Sequence, residues 1–267
     1  MVAIYHMKRK ITLLYPFVGI LIFIAGCKKG DTSNSNVIGT RLIGGLKTTS
    51  NGVVIDTLAY TYDSSNRIVE VVENSGGTLL DTKLTYDSSD RITEADLYTN
   101  SQPTQKNAFS YGSGTAMQQS IIYVNGNTTT NSQTLTLNSN QHIIKKAIDA
   151  NNYVAYTYDA SGNVSSITQY MASTGTTPYS TFTATYDSHN SIYLNVKGNY
   201  YIWFDRYTPY NIVTQNSTYV TGIPPGTNIS YSFAGTFDSL GYLTSRVVTF
   251  SGTSSGQTVT TYTYINK

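Results

Sequence analysis

The chain has little cysteine, little charge and, beyond its N-terminus, no helical periodicity. A single cysteine among 267 residues cannot form an internal disulfide or supply a thiolate metal cluster. Only 12% of the residues are charged and the formal net charge is +2, so the composition does not favour nucleic-acid binding. Apolar residues do not recur every three to four positions, as they would along an amphipathic helix. The bulk of the chain is therefore expected to form strands.

The N-terminus has the pattern of a bacterial lipoprotein signal. Lys8–Lys10 are basic, residues 11–24 form an apolar run, and the sequence Ile24-Ala25-Gly26-Cys27 follows. The run is too short for a comfortable membrane span. Small residues before a lone cysteine suit cleavage ahead of a lipidated thiol, so the sequence predicts a lipobox at this point.

This signal predicts the mature form of the protein and its location. We expect residues 1–26 to be removed, Cys27 to be diacylated, and residues 27–38 to form a flexible tether. Removal takes three of the 17 basic residues and none of the 15 acidic ones, so the formal charge falls from +2 to −1. Lys28 does not favour retention at the inner membrane. We therefore expect a lipid anchor in the outer membrane, on its periplasmic or its cell-surface face, with either Met1 or Met7 as the start of translation.

A seven-residue motif returns along the rest of the chain. It begins with an aromatic residue followed by Asp, continues with small polar residues, and ends with an aliphatic residue. Five copies are Tyr62–Ile68, Tyr86–Ile92, Tyr158–Val164, Tyr186–Ile192 and Phe237–Leu243, and weaker copies begin at Tyr111 and Leu137. The intervals between lead residues are 24, 25, 26, 21, 28 and 51, and the last interval suggests one eroded copy. Such a stride indicates one supersecondary unit repeated many times.

Each repeat has the pattern of one β-hairpin. Leu58, Tyr60 and Tyr62 alternate with smaller or polar residues, which indicates a strand with one buried face. We expect the five lead aromatics to lie at equivalent strand ends, and the residues two places earlier, such as Tyr60, Leu84 and Tyr156, to share that buried face. The Asp that follows suits a turn, because its side chain can accept hydrogen bonds from nearby amides. Neighbouring hairpins are expected to join through looser links such as Asn74–Gly77. The sequence thus predicts an all-β antiparallel meander of about 14–16 strands over residues 39–267. So many strands are expected to curl or close into a barrel-like sheet, which removes exposed edges.

The motif resembles the tyrosine–aspartate (Rhs/YD-type) repeat, whose core reads Tyr-x-Tyr-Asp-x-x-Gly-Arg-(Leu/Ile). Tyr60–Asp63 with Arg67-Ile68, and Tyr156–Asp159 with Gly162, carry the resemblance. The chain looks like Gram-negative envelope lipoproteins that carry a YD-like domain of unknown function and a porin-like fold. The resemblance implies a fold for residues 40–267 and brings no catalytic residues. It does not imply the encapsulating role of full Rhs proteins, whose large shell and C-terminal toxin are missing here.

No group of residues has the spacing of a catalytic or metal site. The mature chain has two histidines, His142 and His189, each at a predicted turn, and solvated turn residues are the simpler interpretation. The motif aspartates could line one rim and bind calcium, but capping of their own turns explains them better. No cofactor is expected. Glu70 and Glu94, like Arg67 and Arg91, occupy equivalent places in neighbouring repeats and favour cross-strand ion pairs.

One aromatic segment breaks the stride and is the candidate ligand site. Tyr201, Trp203, Tyr207 and Tyr210 lie in it, and the Pro224-Pro225 loop follows. Aromatic rings on a sheet surface can stack on sugars, and irregular segments often carry function on a regular scaffold. The alternative is that these rings fill the interior of the barrel.

The sequence leads to two functional hypotheses. The first is a non-enzymatic, lipid-anchored envelope scaffold that binds a glycan or an envelope protein. The alternative is a transmembrane outer-membrane β-barrel or a barrel-associated accessory lipoprotein, because such barrels share the alternation of apolar and polar positions. A hydrolase is a weaker third hypothesis, since no paired acid and base are visible.

Overall fold

Residues 40–124, 126–198, 210–219, 229–252 and 255–267 are described by a computed structural model. In these residues, sixteen antiparallel strands form one closed barrel, in which each strand pairs with the next along the chain and the last pairs with the first. The strands are β1 (Arg41–Ser50), β2 (Val53–Tyr62), β3 (Ile68–Ser75), β4 (Thr78–Tyr86), β5 (Ile92–Thr99), β6 (Gln102–Gly112), β7 (Thr115–Val124), β8 (Asn127–Leu137), β9 (Ile143–Ala147), β10 (Tyr153–Tyr158), β11 (Val164–Tyr170), β12 (Ser180–Asn190), β13 (Tyr210–Tyr219), β14 (Ile229–Phe237), β15 (Leu243–Ser251) and β16 (Gly256–Asn266). A short 3₁₀ turn, Ala172–Thr174, precedes β12. The predicted all-β barrel is confirmed.

The repeated motif forms the turns at one end of the barrel, which we call the motif end. In the copy after β2, an oxygen of Asp63 accepts hydrogen bonds from the amides of Ser65 and Arg67, at 2.9 and 3.0 Å. Asp87, Asp159 and Asp238 make the same pair of bonds. The prediction that the motif aspartate caps its own turn is confirmed for these four copies, whereas Asp187 accepts from His189 in its own turn and from the distant Asn211.

The residue three places after the capping side chain has a positive φ in every one of these turns. It is Asn66 at 65°, Asp90 at 60°, Gly162 at 86° and Gly241 at 79°. Asn, Asp and Gly are the residues that adopt the left-handed region most readily. This requirement explains why Asn, Asp and Gly replace one another at this position while its backbone geometry stays the same.

Tyrosine hydroxyls join neighbouring repeats at the motif end. The hydroxyl of Tyr86 donates to the carbonyl of Ile68 at 2.8 Å, so each lead tyrosine reaches the return strand of the preceding motif. The same bond is formed by Tyr62, Tyr111, Tyr158, Tyr186 and Tyr264. The lead tyrosine therefore holds two hairpins together, in addition to ending its own strand.

At the opposite end of the barrel, here the far end, several connections are two-residue turns. Asn51-Gly52, Gly76-Gly77 and Asn100-Ser101 each have two consecutive positive φ angles, as type I′ hairpin turns require. Ser75 pairs directly with Thr78, so the segment predicted as a loose link between hairpins is a tight two-residue turn. That expectation was wrong because Gly-Gly satisfies a tight turn as well as a loop.

Most of the buried side chains that point into the barrel are apolar. Tyr60, Leu84 and Tyr156, predicted to share a buried face, are at most 6% exposed. They belong to one hydrophobic cluster with residues of most of the strands. The lead aromatics Tyr62, Tyr86, Tyr158 and Phe237 pack against this cluster, and Tyr186 packs against a smaller one around Ile212 and Phe233. The prediction that the lead aromatics occupy equivalent strand ends is confirmed for Tyr62, Tyr86, Tyr158 and Phe237, but not for Tyr186, because β12 continues to Asn190.

The motif copy at Tyr186 differs from its prediction. Tyr186 pairs with Ile212, and the amide of Asn211 donates to Asp187, so the return strand begins there and not at Ile192. A long insertion thus interrupts the turn of one motif. The interval of 51 residues to the next copy comes from this insertion, and the idea of an eroded copy was wrong.

The two ends of the described chain close the barrel with a motif whose halves are far apart in sequence. Tyr264 pairs with Ile43, and Thr263 with Gly45 after a bulge. Tyr62 and Ile68 pair in the same way, followed by the same bulge. Strand β16 therefore acts as the first half of a hairpin and β1 as its second half.

Among the described residues, no helix is both long and apolar enough to cross a membrane.

Candidate functional site

A cavity of about 350 Å³ lies inside the barrel between the packed core and the far end. A volume of this size is at the lower limit of small-molecule sites. Its wall is formed by Leu46, Thr48, Ile55, Asp56, Leu58, Glu73, Ser75, Gly76, Ile192, Tyr193, Arg246, Thr260 and Tyr262. Acidic, basic, hydroxyl and aromatic groups thus face one partly open cavity.

The strand register places five of these residues in one row across the inner wall. Asp56 pairs with Ser75 on one side and with Thr48 on the other. Thr48 pairs with Thr260, which pairs with Arg246. We call Ser75, Asp56, Thr48, Thr260 and Arg246 the polar row. It has a carboxylate near one end, a guanidinium at the other, and between them two hydroxyls whose oxygens are 3.0 Å apart.

Glu73 lies one level deeper in the cavity than the polar row. It pairs with Leu58 and is only 6% exposed, and it makes no hydrogen bond or ion pair with another described residue. Burial, together with the nearby charge of Asp56, raises the pKa of Glu73 to about 7. One oxygen of Asp56 is also buried without a hydrogen-bond partner among the described residues, and burial raises the pKa of this carboxyl group too.

Arg246 forms the basic end of the polar row and is 7% exposed. Its guanidinium lies over the rings of Phe233 and Tyr262, at 5.1 and 5.8 Å from their centres. Cation–π contacts of this kind stabilise a buried guanidinium.

The insertion between β12 and β13 provides part of the cavity wall. Tyr193 is 1% exposed, and its hydroxyl is hydrogen-bonded to that of Tyr60 at 2.7 Å, with the two rings edge to face. Further along, Asn195 donates to the carbonyl of Arg41 and the amide of Lys197 to the carbonyl of Asn66. The insertion therefore crosses the motif end and anchors one ring in the core.

Most of the predicted site residues lie outside the described residues. Tyr201, Trp203 and Tyr207 do so, as does the lipidation site Cys27. Tyr210 begins β13, where its backbone pairs with Asn190. These residues remain a prediction, and the cavity is a separate site that the sequence analysis missed.

A signal for the missed residues was present in the sequence. Asp56 falls on the same alternating face as Leu58 and Tyr60, and Glu73 on the same face as Val71. A charged residue on an otherwise apolar face is rare without a partner or a role. That pattern identifies both acids, whereas their approach to Arg246 depends on closure of the barrel.

The two histidines play different structural roles. His142 is 9% exposed and its ring lies against Tyr158, so the prediction of a solvated residue was wrong there. Its position corresponds to that of Arg67 in the motif, whose guanidinium likewise lies over the next lead ring, Tyr86. Burial lowers the pKa of His142. His189 is exposed, contacts Asp187 and stacks on Phe237. In the described part of the chain, no three His, Cys, Asp or Glu side chains form a group that could hold a metal ion.

The predicted ion pairs between repeats are confirmed in part. Glu70 contacts Lys83, and Glu94 contacts Lys106, on neighbouring strands. Arg67 and Arg91 bind the aspartate of their own motif, Asp63 and Asp87, and Arg67 also forms an ion pair with Asp90 of the next motif at 2.9 Å.

Solved structures show which known fold this barrel has. A porin-like protein from Bacteroides uniformis matches with a TM-score of 0.50 and 14% identity, over 84% of this chain and 98% of that one. The fold is porin-like. A second porin-like protein, from Bacteroides vulgatus, matches with a TM-score of 0.43 and 9% identity, over 85% and 99% of the two chains. No protein-family model matches the sequence, and no curated protein matches it either.

Proposed function

We propose that this chain is a non-enzymatic barrel lipoprotein of the cell envelope, related to the YD-like envelope lipoproteins that its motif resembles. In this proposal Cys27 holds it to the outer membrane and the barrel itself lies in water. Of the two proteins named in the alternative hypothesis, this is the barrel-associated accessory lipoprotein. The closed barrel fold favours that hypothesis over the first one, a scaffold of stacked hairpins. The chemistry of its outer face is the observation on which the proposal depends.

Charged residues occupy the middle of the outer face on four neighbouring strands. Lys83 contacts both Glu70 and Asp81, at 3.6 Å each, and Lys106 contacts Glu94 at 3.0 Å. A transmembrane barrel has an apolar band at this height, and one lysine there costs about 2–4 kcal/mol at the bilayer midplane. Ion pairs on an exposed surface have no such cost in water.

Hydroxyl groups cover the outer face next to the motif end. A Thr or Ser precedes the lead residue of each motif and points outward, at Thr61, Thr85, Ser110, Thr136, Thr157, Thr185, Thr236 and Thr263. Several pair with hydroxyls on the next strand, as Thr85 does with Thr93 at 3.0 Å and Thr157 with Ser165 at 2.9 Å. Such a surface suits water better than hydrocarbon.

The interior supports a binding protein over an open pore. One hydrophobic cluster, which includes Ile43, Tyr156 and Tyr193, packs the barrel at the motif end. The cavity then lies above this packed floor, as in a cup. Porins that conduct solutes have polar, water-filled interiors instead.

Folding without detergent tests the proposal. Residues 28–267, without the signal peptide and lipid anchor, are refolded in buffer alone and in non-ionic detergent. We expect a monodisperse β protein with the same circular dichroism and thermal transition in both. If folding and solubility require detergent, the barrel spans the membrane and the water-exposed proposal is wrong.

Labelling in cells tests the anchor independently. Replacement C27S is expected to leave an unprocessed precursor that no longer incorporates radiolabelled palmitate. Normal maturation of this variant would contradict the lipoprotein assignment. A variant in which an ordinary cleavable secretory signal replaces residues 1–27 should be released by a sodium carbonate wash, whereas the wild-type protein should stay in the membrane fraction.

A further inference from the structure

Two carboxyl groups face the cavity without a partner. Glu73 is only 6% exposed and makes no hydrogen bond or ion pair with another described residue. One oxygen of Asp56 is buried and also lacks a hydrogen-bond partner among the described residues. A carboxylate buried in this way is costly unless a cation or a hydrogen-bond donor reaches it. The two acids therefore point to a positively charged ligand.

The strand register places the two acids side by side on the inner wall. Asp56 on β2 pairs with Ser75 on β3, and Glu73 lies two residues before Ser75 on the same face. Diagonal neighbours of this kind lie about 7 Å apart. Burial is the main cause of the raised pKa of Glu73, and the negative charge of Asp56 adds to it, so the two carboxyl groups are close enough to interact. One small cation between them would contact both.

A hydroxyl group completes the set of acceptors. Thr48 pairs with Asp56 on the side away from Glu73, and it also lines the cavity. Its oxygen accepts a hydrogen bond whether or not its own hydrogen is donated to Thr260. An ammonium group has three N–H donors and no acceptor. The two carboxylates and this hydroxyl therefore match a primary ammonium group.

The rest of the cavity favours an organic cation over a metal ion. A calcium ion takes about six to eight oxygen ligands, and in the described part of the chain no three acidic, histidine or cysteine side chains form a group that could hold a metal. Arg246 adds a positive charge to the same wall, which disfavours a divalent ion more than a single ammonium group. Leu46, Ile192 and Tyr262 also line the cavity and offer an apolar surface to a carbon body.

We propose that the cavity binds a small primary amine, with its ammonium group between Asp56, Glu73 and Thr48 and its carbon body against the apolar wall. A volume of about 350 Å³ holds a single small molecule. The ligand enters from the far end, because Gly76 of the turn between β3 and β4 is part of the cavity wall. The site goes beyond the proposed function and does not depend on how the barrel is held to the membrane.

Calorimetry with matched compounds tests the site. Full-length protein in non-ionic detergent at pH 8 is titrated with phenethylamine, with phenethyl alcohol, and with the N,N,N-trimethyl form of the amine, and the heats measured in detergent alone are subtracted. The carboxyl group of Glu73, whose pKa is about 7, is charged at this pH. We expect phenethylamine to bind and both analogues to bind at least tenfold more weakly, because one lacks the charge and the other lacks the N–H donors. The absence of phenethylamine binding up to 10 mM, or equal affinity for either analogue, would overturn the proposal.

Variants place the amine in the cavity. Glu73→Gln and Asp56→Asn keep the size of the side chain and remove its charge, so each should weaken phenethylamine at least tenfold and leave the alcohol unchanged. Glu94→Gln is the matched control, because Glu94 lies on the outer face in an ion pair with Lys106, and it should bind the amine as the wild type does. Circular dichroism of each variant separates loss of binding from loss of fold.

The remaining outcomes also decide the question. If Glu94→Gln weakens binding as much as Glu73→Gln, the amine binds outside the cavity and the proposal is wrong. Wild-type affinity in both cavity variants would lead to the same conclusion. If calcium chloride binds in a manner that requires Glu73 and phenethylamine does not bind, the cavity is a metal site and takes no amine.

Discussion

The two ends of the barrel use the same strands for different purposes. At the motif end, aspartates, left-handed turn residues and tyrosine hydroxyls recur from repeat to repeat, and most of their hydrogen-bonding groups have partners. Toward the far end the repeat places no fixed residue types on the inner wall. There the interior holds the polar row and Glu73, which has no such partner among the described residues. Repetition thus stabilises one end and leaves the other free to vary.

This contrast matters because stability and binding make opposite demands on polar groups. A group that is already satisfied within the protein gains little from a ligand, whereas an unsatisfied one destabilises the empty protein and strengthens the complex. The polar groups at the motif end therefore favour stability, and those of the cavity favour binding. Stability measurements on variants at both ends can therefore test this difference.

The largest effect is expected where the insertion enters the core. Tyr193→Ala removes a fully buried ring and leaves Tyr60 without its hydroxyl partner, so we expect a loss of about 3–5 kcal/mol in the free energy of unfolding. Urea denaturation of the full-length protein in detergent measures it. Tyr123→Ala, at a ring that is 37% exposed, is the control and should lose far less. Similar losses for both would mean that the insertion does not stabilise the barrel.

A motif aspartate should rank second. Asp87→Ala removes the acceptor of two turn amides and the partner of Arg91, and we expect a loss of about 2 kcal/mol, as for other capping side chains. Hydrogen bonds and the arginine hold the pKa of Asp87 below its usual value despite its partial burial, so this contribution should also be lost on acidification below about pH 4. Ser88→Ala in the same turn should change stability by less than about 0.5 kcal/mol.

Glu73 should behave in the opposite sense to the motif aspartates. Its pKa is about 7 in the folded protein and 4.5 otherwise, so the folded state holds more protons between these values. Stability should therefore fall as the pH rises from about 4.5 to 7. Glu73→Gln should raise the free energy of unfolding at pH 8 by about 1–2 kcal/mol and leave it nearly unchanged at pH 4.

Asp56 contributes to the pH dependence of stability in the same direction as Glu73. Burial raises its pKa as well, so a smaller decline with pH should persist in the Glu73→Gln variant. Thermal denaturation from pH 4 to 8 shows both effects. If the variant is less stable than wild type at pH 8, Glu73 has a stabilising partner and the contrast between the two ends is wrong.

The smallest effect concerns the hydroxyl bonds between repeats. Tyr158→Phe removes a single hydrogen bond to the carbonyl of Ile143, and we expect a loss of about 1 kcal/mol. Tyr153→Phe is the control, because that ring stacks on Tyr170 on the outer face. Equal unfolding midpoints for the two variants would show that lead tyrosines act through their rings alone.

Local pattern was enough to predict the hairpins and much of the core. Alternation around Tyr60, Leu84 and Tyr156 identified the buried face, and the Asp-initiated turns identified the connections. These predictions succeeded because they depend on residues fewer than about ten positions apart, where strand periodicity and turn chemistry act directly. The insertion after Asp187 was missed because Ser191-Ile192 imitates the end of a motif, although Ile192 packs inside the barrel.

The sequence by itself determined the repeat, the approximate number of strands and the face that points inward, since each follows from short-range patterns. Closure of the barrel was decided only by the tertiary structure, because it requires Tyr264 to pair with Ile43, which lies at the other end of the described sequence. That pairing aligns Asp56 with Arg246 through Thr48 and Thr260 and so creates the polar row. Long-range register depends on the accumulated twist and stagger of all sixteen strands, which no local segment specifies.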